Sequence, residues 1–302
     1  MVAREISDAA ARLRARLDGG LIPAVPVPFR GGTIDIDALA GYARWMARQP
    51  IAGVAVGVHT GRGPRLAAVD RRCVLQVWRG ALPDRLLVAG AWDEASAAEA
   101  RELGADALLV FPKPGDAVAF HQRLSRELPV LAFYLYGAAG GVAYDDEALR
   151  GTLALPGVAG IKVATLDSVM TFQRIARLLE AYPDKLLITG EDRFLGYSVL
   201  LGARAALIGM GAALTDVQAA LLAAHRAGDW ARFVRLTAIC DRFSEATFTA
   251  PMDGYIRRML WAAAADGAIP EAACDDPWGP ALPDHERGAV RQAVHDARAA
   301  LR

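Results

Sequence analysis

The sequence predicts an α/β chain folded as a (β/α)8 TIM barrel with a C-terminal helical subdomain. Three observations carry that expectation. Eight short apolar runs recur through the first two-thirds of the chain, segments of helical periodicity lie between them, and after residue 228 only helical patterns remain. Short runs with no polar face suit parallel strands covered by helices, and eight strand–helix units suit a closed barrel. The main rival is a doubly wound open sheet, but no Gly-rich dinucleotide fingerprint follows the first run.

The elements follow in order. Residues 1–19 form one helix, expected outside the barrel, and residues 20–228 form the barrel itself. Its strands are LIPAVPV from Leu21, GVAVGV from Gly53, RLLVAGA from Arg85, DALLVF from Asp106, PVLAFYLY from Pro129, GVAGIKVA from Gly157, KLLIT from Lys185 and AALIGMG from Ala205. Between them, IDALAGYARWMARQ, AVDRRCVLQVWRGAL, AFHQRLSREL and MTFQRIARLLEAY repeat apolar residues every three to four positions, as amphipathic helices do. Residues 229–302 read as a three-helix subdomain with a Pro-rich break, DDPWGPALPDH, before the last helix.

Composition narrows the function. Of the 302 residues 54% are hydrophobic and 23% charged, with 34 Lys+Arg against 34 Asp+Glu. This balance leaves no general electrostatic reason to bind nucleic acid or an anionic membrane, and the apolar content excludes disorder. Three cysteines without metal-ligand spacing read as free thiols in a reducing compartment. Arg4, Glu5, Asp8 and Arg12 interrupt the stretch where an export signal needs apolar residues, and no run is long enough to span a membrane. The expected location is the cytoplasm.

The basic residues are 31 Arg and three Lys, namely Lys113, Lys162 and Lys185. A chain that uses Arg for surface charge draws attention to each remaining lysine. In GVAGIKVAT, strand alternation places Val158, Gly160, Lys162 and Ala164 on one face and Ala159, Ile161 and Val163 on the other. With the bulky face toward the helices, Lys162 projects into the barrel between small neighbours. Desolvation lowers an interior lysine's pKa by up to several units, at about 1.4 kcal/mol per unit. A neutral amine near the carboxyl end of a barrel strand is suited to Schiff-base chemistry. The competing reading is a lysine snorkelling at a sheet edge.

Two further places draw attention. On the fifth run Val130, Ala132, Tyr134 and Tyr136 alternate with Leu131, Phe133 and Leu135, so the face with smaller residues also carries two phenols. A phenol can shuttle protons in iminium chemistry, although interior tyrosines are also common in cores. The second run ends in GVHTGRG, where backbone N–H groups of a Gly-rich turn and the Thr60 hydroxyl could hold a carboxylate, with His59 and Arg62 beside it. A plain tight connection explains the same glycines.

Taken together, HTG, FYLYG, GIKVAT, ITGED and ALIGMG, with the opening strand and closing helices, resemble the dihydrodipicolinate synthase and N-acetylneuraminate lyase family of Schiff-base-forming barrels. The resemblance implies that Lys162 forms the imine and that Tyr134, rather than Tyr136, relays protons. It also implies that Thr60 and Gly61 bind a carboxylate, and that Gly190 and Leu207 line the pocket. No metal or organic cofactor is expected, and a homo-oligomer, tetramer or dimer, is implied.

Departures from the family pattern bear on substrate. His59 and Arg62 replace the loop's first Thr and its Glu, and Val27-Pro28 replaces a Thr-Pro. Phe111-Pro112-Lys113-Pro114 stands where synthases of this family have Thr-Pro-Tyr-Tyr. The Arg expected after the fifth-strand phenol is absent from LYGAAGGVAY. Arg62 and Lys113 are therefore candidates for a differently placed anionic group, and the lysine-pathway synthase itself is not expected. The leading expectation is a lyase or aldolase acting on pyruvate or a related 2-oxo acid. The alternatives are a sugar-acid dehydratase using the same imine and a barrel that binds a 2-oxo acid without turning it over.

Overall fold

The computed structural model of the chain describes residues 2–166 and 168–301. Eight parallel strands form the central sheet: β1 (Leu21–Pro23), β4 (Gly53–Val56), β5 (Leu86–Ala91), β6 (Ala107–Val110), β7 (Val130–Leu135), β8 (Val158–Ala164), β9 (Leu186–Thr189) and β10 (Ala205–Ile208). Each pairs with its neighbours in chain order, and β1 pairs with β10. The ring closes between β1 and β4, where the Val25 N–H donates to the Ala55 carbonyl at 3.1 Å and the Ala52 N–H to the Leu21 carbonyl at 3.0 Å. The expected eight-stranded barrel is what the chain forms. A small antiparallel hairpin, β2 (Phe29–Arg30) and β3 (Thr33–Ile34), follows β1 and turns on Gly31 and Gly32, whose φ values of 57° and 79° suit a residue without a Cβ.

Helices α2 (Ile36–Ala47), α3 (Ala68–Ala81), α4 (Glu94–Glu102), α5 (Ala117–Leu124), α6 (Asp146–Leu153), α7 (Val169–Leu179), α8 (Leu195–Leu200) and α9 (Thr215–Ala227) each follow a barrel strand. Several begin where the sequence offers an N-cap oxygen, as with Asp35, Asp116, Asp145 and Ser168, each accepting from a backbone N–H three residues on. Helices α10 (Trp230–Thr247), α11 (Tyr255–Ala265) and α12 (Asp284–Ala299) form the closing helical segment.

The N-terminal helix α1 (Val2–Leu17) packs outside the barrel strands, across one end. It does not lie against the outer helices alone: Ala10, Leu13 and Leu17, spaced along one face, join the buried cluster that contains the inward residues Ile22, Ala55 and Leu86. It therefore covers the end of the barrel from which the strands start, and the opposite end stays available for a site.

Inward and outward residues do not follow the alternation expected for β7. Leu131, Phe133 and Leu135 face the barrel interior, while Ala132 and Tyr134 pack outward with Tyr144, Leu149 and Phe172. Gly90 marks a close backbone approach, since an added Cβ would fall 2.2 Å from the Gly57 carbonyl oxygen and 3.2 Å from the Phe111 ring, and Phe111 meets Phe133 edge to face at 6.0 Å. Phe133 thus packs inward against a ring from beyond the end of β6, a contact that one strand's sequence cannot display. On β8 the register slips by one residue, with Val130 opposite Val158 and Leu131 opposite Gly160. This bulge puts Ala159 inward and Val158 outward, after which Lys162 and Ala164 face inward and Ile161 and Val163 outward as expected.

Candidate active site

Lys162 enters from β8 and is 6% exposed. Its side chain has room because Gly190 lies beside it: a Cβ there would fall 2.5 Å from Lys162 Cε and 3.0 Å from the Val163 carbonyl oxygen. The amine sits over the Phe133 ring, 4.3 Å from its centroid. Burial pulls its pKa down to about 8, against the opposing pull of Asp192 and Glu191. Burial pushes the Asp192 carboxyl up, although it accepts the Met210 N–H at 2.7 Å and feels the Lys162 charge. Glu191 is fully buried and its carboxyl is also raised by burial, to about 7. It accepts from the Thr165 N–H (2.6 Å), the Thr165 hydroxyl (2.9 Å) and the Leu166 N–H (2.8 Å), fixing the loop that leaves β8.

Lys162 opens into a narrow cavity of about 20 Å³ at the carboxyl ends of the strands, lined in part by His59, Thr60, Tyr136, Asp192, Phe248 and Tyr255. The loop after β4 contributes His59 and Thr60. Within it the Arg62 N–H donates to the His59 carbonyl and the Gly63 N–H to the Val58 carbonyl, which closes the turn. Among the described residues, neither closing bond uses the N–H of Thr60 or Gly61. A Cβ on Gly61 would lie 3.1 Å from both the Gly57 nitrogen and the Val25 carbonyl oxygen, so the loop packs on backbone that a side chain would displace.

Tyr255 comes from helix α11. Its hydroxyl lies 2.8 Å from His59 Nδ1 and 3.0 Å from Thr60 Oγ1. Its ring stacks on Phe248 at 4.9 Å and on His59 at 5.8 Å. Burial, followed by the charges of Arg62 and Lys162, pulls His59 down to about 4, so its imidazole is neutral at ordinary pH. Burial raises the phenols of Tyr136 and Tyr255. Arg258, wholly buried, holds the segment between Phe248 and Tyr255 by donating to the carbonyls of Thr249, Ala250 and Pro251 while pairing with Glu286 at 2.7 Å.

Lys162, Thr60, His59 and Gly190 thus meet at one cavity, with Gly61 in the loop beside it. The expected roles of Tyr134, Leu207, Arg62 and Lys113 need correction. Tyr134 lies outside the barrel, its ring 6.4 Å from Tyr144, and Phe133 takes the place beside Lys162. Tyr136, beyond the end of β7, is the phenol of this run that reaches the cavity. Leu207 faces inward within the packed barrel interior, and the cavity is lined just past the end of that strand by Gly209.

Arg62 points to the closing helices. It donates to Asp276 at 2.7 and 3.2 Å and to Asp253 at 3.0 and 3.4 Å, so its guanidinium is committed to two carboxylates. Lys113 lays its amine 5.1 Å from the Phe120 ring centroid on helix α5 and does not line the cavity. The residues that sequence reasoning missed, Tyr255 and Phe248, lie nearly 200 positions from the loop they meet. Nothing local in MDGYIRRMLW sets that tyrosine apart from a core residue.

Among the described residues no group of three or more His, Cys, Asp or Glu side chains is placed to hold a metal ion. No helix among them is long and apolar enough to cross a membrane.

No family model matches the chain. Curated proteins do. An uncharacterized DapA-like lyase from Chloroflexus aurantiacus is 28% identical over 244 residues, covering 74% of this chain and 80% of that protein. The 4-hydroxy-tetrahydrodipicolinate synthase of Maridesulfovibrio salexigens is 28% identical over 233 residues, covering 70% and 76%. Among solved structures, dihydrodipicolinate synthase from Oceanobacillus iheyensis superposes with a TM-score of 0.82 at 17% identity, covering 96% of this chain and 99% of that one. N-acetylneuraminate lyase from Mycoplasma synoviae gives 0.78 at 19%, covering 94% and 98%. At such identities the structural likeness speaks to fold, and the sequence relatives carry the kinship. These likenesses support a divergent member of the dihydrodipicolinate synthase and N-acetylneuraminate lyase family, a family of class I aldolase-like lyases.

Proposed function

We propose that the protein is a lyase that binds pyruvate or a related 2-oxo acid as a Schiff base on Lys162. The observation that carries this reading is the buried Lys162 amine. It opens into the cavity at the carboxyl ends of the strands, and its proton affinity is lowered by desolvation. The lone pair of the neutral amine attacks the keto carbon, the carbonyl π pair moves to oxygen, and loss of that oxygen as water leaves an iminium. The iminium draws electrons from the adjacent carbon–carbon or carbon–hydrogen bond, which is the chemistry of aldol cleavage and condensation.

The Thr60 and Gly61 N–H groups are the natural seat for the carboxylate, since the loop's closing hydrogen bonds do not use them. An outer space of about 560 Å³, lined by Tyr136, Leu166, Arg193, Phe248 and Met252 among others, adjoins the cavity and gives the rest of a substrate a way in. Incubation with pyruvate and borohydride tests the reading. Mass spectrometry is expected to find a reduced pyruvyl adduct on the peptide containing Lys162, abolished by Lys162→Ala. An unmodified lysine under conditions that trap a known class I aldolase would overturn it.

A further inference from the structure

Imine formation needs an acid beside the carbonyl oxygen, and β7 does not provide one. Phe133 is the β7 ring at the amine and has no hydroxyl, while Tyr134 is packed on the far side of the sheet. Two phenols line the cavity, Tyr136 and Tyr255. Tyr255 is the one built into a hydrogen-bonded set, its oxygen lying between His59 Nδ1 and Thr60 Oγ1 at 2.8 and 3.0 Å. With neutral His59 in the Nδ1–H tautomer and the Thr60 hydroxyl turned to donate, both neighbours donate to that oxygen. The phenol proton then has no acceptor within the set and is free for a ligand in the cavity. The ring is held by stacking on Phe248 and by Gly209, where a Cβ would come within 3.1 Å of it.

We infer that Tyr255, carried by helix α11, is the catalytic acid–base of the imine steps, and that His59 positions and stabilises its oxygen. The inference rests on the Lys162 imine reading. When the amine adds to the keto carbon, the new alkoxide takes the Tyr255 proton, and the resulting phenolate takes one from the nitrogen, which gives a neutral carbinolamine. In the next step the carbinolamine C–O bond breaks, the nitrogen lone pair forms the C=N bond, and the departing oxygen leaves as water with the Tyr255 proton. The phenolate, held by donors from His59 and Thr60, then removes a proton from the carbon next to the iminium, leaving a neutral enamine and a neutral phenol. Charge and protons balance at each stage, and no co-reactant is needed.

The test is the rate of pyruvate trapping by cyanoborohydride in purified full-length variants, read beside the rise in Tm that pyruvate causes. Tyr255→Phe keeps the ring and its stacking. It is expected to slow trapping by about a hundredfold or more while the pyruvate-induced rise in Tm persists. His59→Asn, which keeps a donor near the Nδ1 position, is expected to trap faster than His59→Leu, a rescue that a purely structural role would not produce. Tyr134→Phe is expected to trap at the wild-type rate. Trapping by Tyr255→Phe at the wild-type rate, or a larger loss in Tyr136→Phe than in Tyr255→Phe, overturns the assignment of Tyr255 while leaving Lys162 intact. A wild-type protein that traps nothing overturns the lysine reading and this inference with it.

Discussion

The amine of Lys162 lies 4.3 Å from the centroid of the Phe133 ring, with the buried carboxyls of Asp192 and Glu191 acting on it from the next strand's end. A ring face and an anion both favour the ammonium. Burial opposes them and prevails, which is why the amine titrates at about 8 rather than at its usual 10.5.

A pH profile follows from that balance. The neutral amine is the nucleophile, so the initial rate of pyruvate trapping is expected to rise about tenfold per pH unit well below pH 8 and to level off above it. Asp192 raises the lysine's proton affinity, so Asp192→Asn lowers the midpoint and moves the rising limb to lower pH. The profile of trapping rate against pH for the two proteins is the measurement, and a midpoint that moves upward in the variant contradicts the arrangement.

Gly190→Ala is expected to suppress trapping more than it lowers stability. Its Cβ would stand 2.5 Å from Lys162 Cε and 2.9 Å from the Ala164 Cβ, so the lysine has to leave its present path. Overpacking of this kind costs about 1–3 kcal/mol, which a urea titration reads. A displacement of the amine by about 1 Å can cost a hundredfold in rate. Trapping at the wild-type rate would show that the lysine's path is not limited by this glycine.

The sequence made the barrel, its eight strands and the place of Lys162 legible because these depend on local pattern: short apolar runs, intervening helical periodicity, and a lysine in a strand. The family resemblance then raised one lysine above the other two. Tyr134 was misplaced because strand alternation gives two faces without saying which is inside. That choice depends on what other strands bring to the interior, such as the Phe111 ring that meets Phe133, and on β8 a bulge shifts the pattern again. Tyr255 was invisible because its meaning lies in a contact with Thr60 made by folding the last quarter of the chain over the barrel mouth.

Lys113→Ala is expected to leave pyruvate trapping unchanged. Its amine rests over Phe120 on the outside of the barrel and lies outside the cavity lining. A raised concentration requirement for pyruvate in the variant, read from trapping at several pyruvate concentrations, would instead return this lysine to the site.

Arg62 gives the sharpest separation between a binding role and a structural one. It is 9% exposed, and Asp276, its partner through two hydrogen bonds, is 2% exposed, whereas the Asp253 side chain is 48% exposed and its attraction is screened by water. Removing one member of a buried pair strands the other's charge, at a cost of about 3–5 kcal/mol. Arg62→Met is therefore expected to lower the urea midpoint strongly, and Asp276→Asn to do the same. In the double variant neither charge is left alone, so its loss is expected to be smaller than the sum of the two single losses, a coupling that a double-mutant cycle reads directly. Were Arg62 instead an anchor for a substrate anion, the single variant would keep its stability and lose affinity. The fork of four hydrogen bonds to Asp253 and Asp276 argues for the first outcome, since a guanidinium engaged on both carboxylates has no free edge to offer a ligand.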